Sequence, residues 1–253
     1  MNKRILSIVV ALFMLSMFAT TCMALPFTNI TVSNAYNMIY STNYPNLVVM
    51  DVRTVTDFNN GHLLGAINVP VLPPSPFNTA ALTAWINSPE GQSHKNDEII
   101  VYCATGARAN VSATILEQNG FTKVYNMTGA INAWKAAALP LINITATVDV
   151  TPDTLNLKSQ GKWITAYIEL PSPYNVNNII VSSIKMNNLV PAAMKPTEIG
   201  DYDGDGIADL MVKFDRSAVE GLLISGEKRL WITSQVIGTV LGCGGWDSLT
   251  VMD

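Results

Sequence analysis

The chain has 253 residues, 49% of them hydrophobic and only 13% charged, with a net charge of −4. That length allows one large domain or two modest ones, each with a proper core. The acidic balance speaks against a nucleic-acid surface, and three cysteines do not make a disulfide scaffold.

The first predicted element covers residues 1–24. Lys3 and Arg4 precede an apolar run from Ile5 to Ala19, and small and polar residues lead to Ala24. This is the layout of a secretory signal peptide, with cleavage expected after Ala24. A retained membrane anchor is the competing reading, against which the apolar run is short. The protein is therefore expected to be exported: periplasmic, extracellular or at the cell surface. Cleavage would remove Cys22 and leave Cys103 and Cys243.

Residues 25–141 alternate short apolar runs with segments of helical period. LVVMDV (47–52) and EIIVYC (98–103) read as buried strands, with INVP and KVYNM as shorter ones. Helices are expected after Ser33 as N-cap, over NTAALTAWINS, over ARANVSATILEQNG with Gly120 as its stop, and over AINAWKAAA before Pro140. Strand and helix in alternation imply an α/β domain with a central parallel sheet and helices on both faces. Residues 142–253 have a different texture. INITATVDV, KWITAYIEL, IIVSSIKM, LMVKF, RLWITSQVI and SLTVMD are β-rich, separated by Pro, Gly and Asn clusters, with one helical segment at RSAVEGLLI. An all-β, sandwich-like second domain is expected, joined to the first near 141–146 without a long linker.

Cys103 ends a strand of the expected parallel sheet, where ligands collect in such folds. Gly106 permits the tight turn that follows. The next helix points its free N–H groups and positive dipole end back toward the sulfur, and Arg108 adds a full positive charge. Both favour an anionic, nucleophilic sulfur. Most buried cysteines are only small hydrophobes, so the neighbours carry the weight here.

Those neighbours resemble a known family. LVVMDVRTVTDFNNGHLLGAINVP (47–70), IIVYCATGARAN (99–110) and LEQNGFTKVYNMTGAINAW (116–134) are similar, in order and spacing, to the signatures of the rhodanese-like sulfurtransferases. The resemblance covers about 28–141 and implies a compact α/β fold. It implies that Cys103 accepts a sulfane sulfur as a persulfide, and that the amides of Ala104, Thr105, Gly106, Ala107 and Arg108 ring that sulfur. Arg108 would hold the loop and attract anionic donors. Asp51 and Arg53 would act as supporting charges near the loop, and His62 as a turn residue. Cys103 to Arg108 is six residues, the length found in sulfur-transferring members; relatives that hydrolyse phosphate esters carry one more. Ala130 and Ala109 depart from the family's commoner glycine and serine. The implied cycle is ping-pong, from thiosulfate or a related donor to cyanide or a thiol, with no organic cofactor. A Cys103–Cys243 bridge would silence the site, though no spacing cue supports one.

In the second half, GDYDGDGIADLMVKF (200–214) gathers carboxylates on a glycine-turned loop, as an oxygen-seeking cation such as Ca²⁺ requires. Asp201, Asp203 and Asp205 fall at positions 1, 3 and 5 of such a loop, the Ile207 carbonyl at 7 and Asp209 at 9; Val212 stands where an EF-hand has its bidentate glutamate. The segment resembles the DxDGDGxxDL calcium loops of extracellular β-domains, which implies a structural ion. The leading reading is thus an exported rhodanese-type sulfurtransferase with a calcium-stabilised β-domain. The alternative is a non-catalytic sulfur carrier or binding protein attached to an envelope or surface partner through the β half.

Overall fold

The structure, a computed structural model, describes residues 27–253. The expected signal segment and Cys22 lie outside the described residues. Among those described, no helix is long and apolar enough to cross a membrane.

Five short strands form a parallel sheet: β1 (Thr28–Ile30), β2 (Val48–Asp51), β3 (Ala66–Asn68), β4 (Glu98–Tyr102) and β5 (Lys123–Met127), in the order β1-β5-β4-β2-β3. Six helices connect and flank them: α1 (Val32–Tyr40), α2 (Val55–Asn59), α3 (Ala80–Asn87), α4 (Pro89–Ser93), α5 (Ala107–Gln118) and α6 (Ala130–Ala136). The α/β expectation holds. The strands are apolar along their length because both faces are covered. One face, with Val49, Ile100 and Tyr102, packs on Ala35 and Ile39 of α1 and on Ile131 and Trp134 of α6. The other, with Met50, Val101 and Cys103, packs on Leu82 and Trp85 of α3 and on Ala109, Ala113 and Leu116 of α5. Helix α1 starts earlier than its sequence suggests. Thr31, not Ser33, is the N-cap, its Oγ1 accepting from the Asn34 N–H at 3.1 Å.

The C-terminal half is rich in strands, as expected. They are β6 (Ile142–Thr145), β7 (Thr147–Thr151), β8 (Thr154–Asn156), β9 (Trp163–Glu169), β10 (Lys185–Met186), β11 (Val190–Pro191), β12 (Glu198–Gly200), β13 (Asp209–Asp215), β14 (Gly226–Ser234) and β15 (Gly242–Met252), with α7 (Arg216–Glu220) between β13 and β14. The larger sheet runs β11-β10-β14-β15-β6, with β8 also on β15; the smaller runs β12-β13-β9-β7. Val150, Ile164, Ala166, Ile168, Val212 and Phe214 of the smaller share one core with Leu230, Ile232, Leu249 and Val251 of the larger. Strand β9 alternates buried and half-buried residues along its length, as its sequence requires.

Two expectations change. INITATVDV is not one strand. It divides at Ala146, with β6 in the larger sheet and β7 in the smaller. The Ala146 N–H donates to the Gly244 carbonyl at 2.9 Å, and a Cβ on Gly245 would stand 2.2 Å from the Ala146 oxygen, so the crossing needs a glycine there. IIVSSIKM is mostly not strand. It holds a 3₁₀ turn at Val181–Ser183 and only the two-residue β10. The Ser183 hydroxyl donates to the Ile180 carbonyl at 2.6 Å and accepts from the Gln235 N–H at 2.8 Å, a local pairing that competes with a ladder.

The two halves share more than a linker. His62 and Ile142 exchange backbone hydrogen bonds of 2.9 and 3.0 Å. Trp231 of β14 enters the core of the first half beside Ile142, and a Cβ on Gly65 would meet its ring at 2.2 Å. Asn187 Nδ2 donates to the Tyr40 carbonyl at 3.1 Å, and Arg229 Nη1 to that of Leu47 at 3.0 Å. Trp231→Ala should therefore open a cavity in the core of the α/β half. The expected loss is about 3–5 kcal/mol, read from urea unfolding followed by near-UV circular dichroism; an unchanged midpoint would show that the two cores are independent.

Candidate functional site

Cys103 is placed by the strand before it and the helix after it. Strand β4 pairs with β2 on one side and β5 on the other, and Ile99 through Tyr102 are buried, so the strand end is rigid. The Cys103 carbonyl accepts from the Ile131 N–H at 3.1 Å, tying it to the start of α6. The chain then turns on Gly106, whose φ of +111° lies in the region glycine favours. Helix α5 begins at Ala107, and its first turn closes through Asn110 N–H to the Gly106 carbonyl at 2.9 Å.

This geometry aims the Gly106 N–H at Cys103 Sγ, 3.1 Å away. Among the described residues it is the one loop amide that donates to the sulfur; Ala104, Thr105, Ala107 and Arg108 complete the turn without doing so. Cys103 itself is 1% exposed. The Arg108 side chain is half-buried. Its Nη1 is shut away from solvent with no hydrogen-bond partner among the described residues, while its backbone carbonyl accepts from Ser112 Oγ at 2.8 Å. The arrangement presents a sulfur to one N–H and to the N-terminal end of a 12-residue helix, with a guanidinium in the first turn.

Asp51 and Arg53 lie elsewhere. Alternation along β2 sends Val48, Met50 and Val52 to the face that holds Cys103, and Val49 to the other. Asp51 and Arg53 share the parity of Val49 and so stand on the face away from the sulfur. Arg53 Nε donates to both Asp51 oxygens at 3.0 Å, and Nη2 donates to Asp51 Oδ2 at 2.6 Å and to the Gly61 carbonyl at 2.7 Å. Both residues are buried. Burial alone would lower the Arg53 pKa; the Asp51 carboxylate more than reverses this, and the net shift is upward. The pair is an internal brace between β2 and the turn before β3, and neither a solvated surface pair nor a reach toward the loop.

His62 belongs to that same turn. Its ring stacks on Phe58 with centroids 3.8 Å apart, and Nδ1 lies 3.0 Å from the Phe58 carbonyl. Burial pushes its pKa down, so the neutral ring donates there and acts structurally. Cys243 is a free thiol in the core of the β half, with Sγ 2.9 Å from Ser234 Oγ, and burial pushes its pKa up. The two cysteines occupy different cores, and no bridge joins them.

The acidic loop gathers on the outer face of the smaller sheet. Carboxylate oxygens of Asp201, Asp203 and Asp209 lie within 4.8 Å of one another, as do those of Glu169, Asp203 and Asp205. Gly204 and Gly206, at φ of +81° and +92°, let the loop fold onto its own side chains. Asp201 accepts from the Gly204 and Gly206 N–H groups at 2.8 and 3.1 Å, and Asp205 from that of Ile207 at 2.7 Å. Glu169 was not anticipated. It sits on β9, opposite Asp209 in the ladder, 32 residues before Asp201 in sequence (201 − 169), so only strand register could reveal it. Desolvation first, and the charge of Asp205 second, push its carboxyl pKa up.

A strand-end cysteine, a glycine turn and a helix carrying an arginine in its first turn define a class of α/β domain built around one sulfur. The Rhodanese-like domain family matches residues 31–137. The thiosulfate sulfurtransferase 16 of Arabidopsis thaliana chloroplasts is 34% identical over 91 residues, which cover 36% of this chain and 76% of that protein. The thiosulfate sulfurtransferase GlpE of Shewanella oneidensis is 29% identical over 100 residues, covering 40% of this chain and 87% of that one. For the rhodanese-like domain-containing protein 15 of A. thaliana chloroplasts the identity is 32% over 92 residues, 36% of this chain and half the length of that relative. The chain belongs to the rhodanese-like family through its N-terminal half.

The brace makes its own prediction. Asp51→Ala strands a buried guanidinium and should cost about 3–5 kcal/mol. The double variant Asp51→Leu, Arg53→Met should recover most of that loss. Urea midpoints of the three proteins check both statements.

Proposed function

We propose that this protein is an exported sulfurtransferase that moves a sulfane sulfur from thiosulfate or a related donor to cyanide or a thiol through a persulfide on Cys103. The observation that carries the reading is the Gly106 N–H directed at Cys103 Sγ at the start of α5. A sulfur held this way is stabilised as an anion by one donor and by the helix end. The thiolate attacks the outer sulfur of thiosulfate; the donor's S–S bond breaks, and sulfite leaves with the electron pair. Cyanide then attacks the outer persulfide sulfur, thiocyanate departs, and the Cys103 thiolate is restored. Ala104, Thr105 and Ala107 carry small side chains, and the proposed persulfide would draw its further donors from the amides of this loop. Arg108 supplies the positive charge. Two relatives named as thiosulfate sulfurtransferases support the choice of donor.

Incubation with thiosulfate and cyanide should yield thiocyanate. Cys103→Ser should reduce this to background, and Arg108→Ala should lower kcat/KM by about 10²-fold, as for the loss of one oriented charge-stabilising group. A Cys103 persulfide seen by mass spectrometry without turnover would instead assign a sulfur carrier. Export through residues 1–24 predicts that the chain recovered from outside the cytoplasm begins at Leu25.

For the second half we infer a structural Ca²⁺ held by Asp201, Asp203, Asp205, Asp209 and the Ile207 carbonyl, with Glu169 supplying the carboxylate that Val212 cannot. Like charges directly opposite each other in a ladder are destabilising, and Asp209 faces Glu169 in that way. Oxygen-only donors suit a hard cation. The β half then serves as a rigid unit for attachment to an envelope or surface partner. Calcium at about 100 times its Kd should stabilise the full chain by about 2.7 kcal/mol over the chelated protein. Glu169→Gln and Asp203→Asn should each remove most of the calcium-dependent rise in melting temperature; a melting temperature indifferent to calcium would refute the site.

A further inference from the structure

We propose that the Cys103 site selects its sulfur acceptor by charge, favouring uncharged or cationic thiols over anionic ones, because the protein's own persulfide uses up the site's positive charge. The inference rests on the sulfur-transfer reading above and names the acceptor class.

In a parallel sheet the segments leaving the carboxyl ends of the strands share one edge. Here these are residues 31–34 after β1, 52–58 after β2, 69–79 after β3, 103–110 after β4 and 128–131 after β5. Three charged side chains occur in them: Arg53, Asp57 and Arg108. Arg53 is cancelled by Asp51 and faces away from the sulfur. Asp57 is exposed in the first turn of α2, where it accepts from Thr54 Oγ1 at 2.8 Å. That leaves Arg108 as the one cation on the edge whose charge is not already matched. Its Nη1 is buried and unpartnered among the described residues, so that donor is turned inward to the protein. The rest of the rim is neutral. Val55 is 57% exposed and Leu72 40%, and Pro73, Pro74 and Thr105 are exposed beside them.

The charge balance follows. Thiosulfate loading turns the Cys103 thiolate into Cys103–S–S⁻, which the Gly106 N–H, the end of α5 and Arg108 then stabilise. An incoming thiol transfers its proton to the outer sulfur as its own sulfur attacks there. The S–S bond to Cys103 breaks, Sγ leaves as thiolate, and the product is RS–SH. Atoms, electrons and charge balance with no outside oxidant. At the moment of attack the persulfide anion and Asp57 outweigh Arg108. A second negative charge on the acceptor is therefore repelled, and these segments hold no lysine and no other unpaired arginine to offset it.

The test uses full-length protein loaded with thiosulfate, freed of donor, and checked for the Cys103 persulfide by mass spectrometry. Discharge is timed with three thiols of matched length: β-mercaptoethanol, mercaptoethanesulfonate and cysteamine, compared at equal thiolate concentration. The neutral thiol should exceed the sulfonate by about tenfold or more at low salt, cysteamine should match or exceed the neutral thiol, and the gap should narrow as salt rises to about 0.5 M. Leu72→Lys should raise the sulfonate rate by about tenfold and Leu72→Glu should lower it, each leaving the neutral thiol within about twofold, with Leu72→Gln as the uncharged control. Equal discharge by the neutral and anionic thiols, or a preference for the anion, overturns this proposal and leaves sulfur transfer intact. Failure to form any persulfide overturns both.

Discussion

The Gly106 N–H directed at Cys103 Sγ over 3.1 Å is the contact around which the first half is organised. It requires three things at once. The sulfur must stand at a fixed strand end, which the pairing of β4 on both edges secures. The chain must reverse within three residues, which the positive φ of Gly106 permits. Helix α5 must start at once, so that its dipole adds to the single hydrogen bond. Ala109, Ala113 and Leu116 fix that start by packing α5 on the face of the sheet that holds the cysteine. A residue with a Cβ at position 106 would meet no neighbour there, so the demand on this glycine is conformational and not one of space.

The two faces of the parallel sheet divide the work. The face with Cys103 is closed by α3 and α5 and meets none of the β half's core residues. The opposite face holds the Asp51–Arg53 brace and receives Trp231 and Ile142 from the second half. Tyr102 marks the division: its ring lies on the face covered by α1 and α6 while Cys103 lies on the face covered by α3 and α5, and the Tyr102 hydroxyl accepts from the Leu63 N–H at 3.1 Å. The attached half can thus brace the strand that carries the cysteine without packing on the face that holds it. This also explains a buried ion pair where a hydrophobic pair would stabilise as well or better. Arg53 Nη2 also donates to the Gly61 carbonyl and fixes the turn on which His62 meets Ile142.

The acidic loop follows a different logic, in which repulsion sets the problem. Asp149, in the same pocket as Asp203 and Asp209, has its carboxyl pKa pushed up by desolvation first and by Asp247, Asp153 and these neighbours after it. The loop's N–H groups answer some of the charge, through Gly204, Gly206, Asp205 and Ile207. Amide dipoles on an exposed turn do not neutralise five carboxylates, so the loop keeps a net negative charge.

What could be read from the residues divides along the same physical line. Chemistry carried by consecutive residues was legible: the strand-end cysteine, the glycine turn and the helix of 107–118 all appear where a local pattern of about a dozen residues demands them. Long alternating strands such as β9 were legible for the same reason. What failed was decided by partners distant in sequence. The break of INITATVDV at Ala146 depends on Gly244 and Gly245, about a hundred residues on. The loss of strand over IIVSSIKM depends on Ser183 meeting Gln235. Asp51 and Arg53 show a subtler limit. Their spacing within DVR was plain, and the period of two already put them on the face of Val49, opposite Met50 and Val52. Sequence alone, however, did not say which face the cysteine would take, because Cys103 lies one residue past the end of its strand.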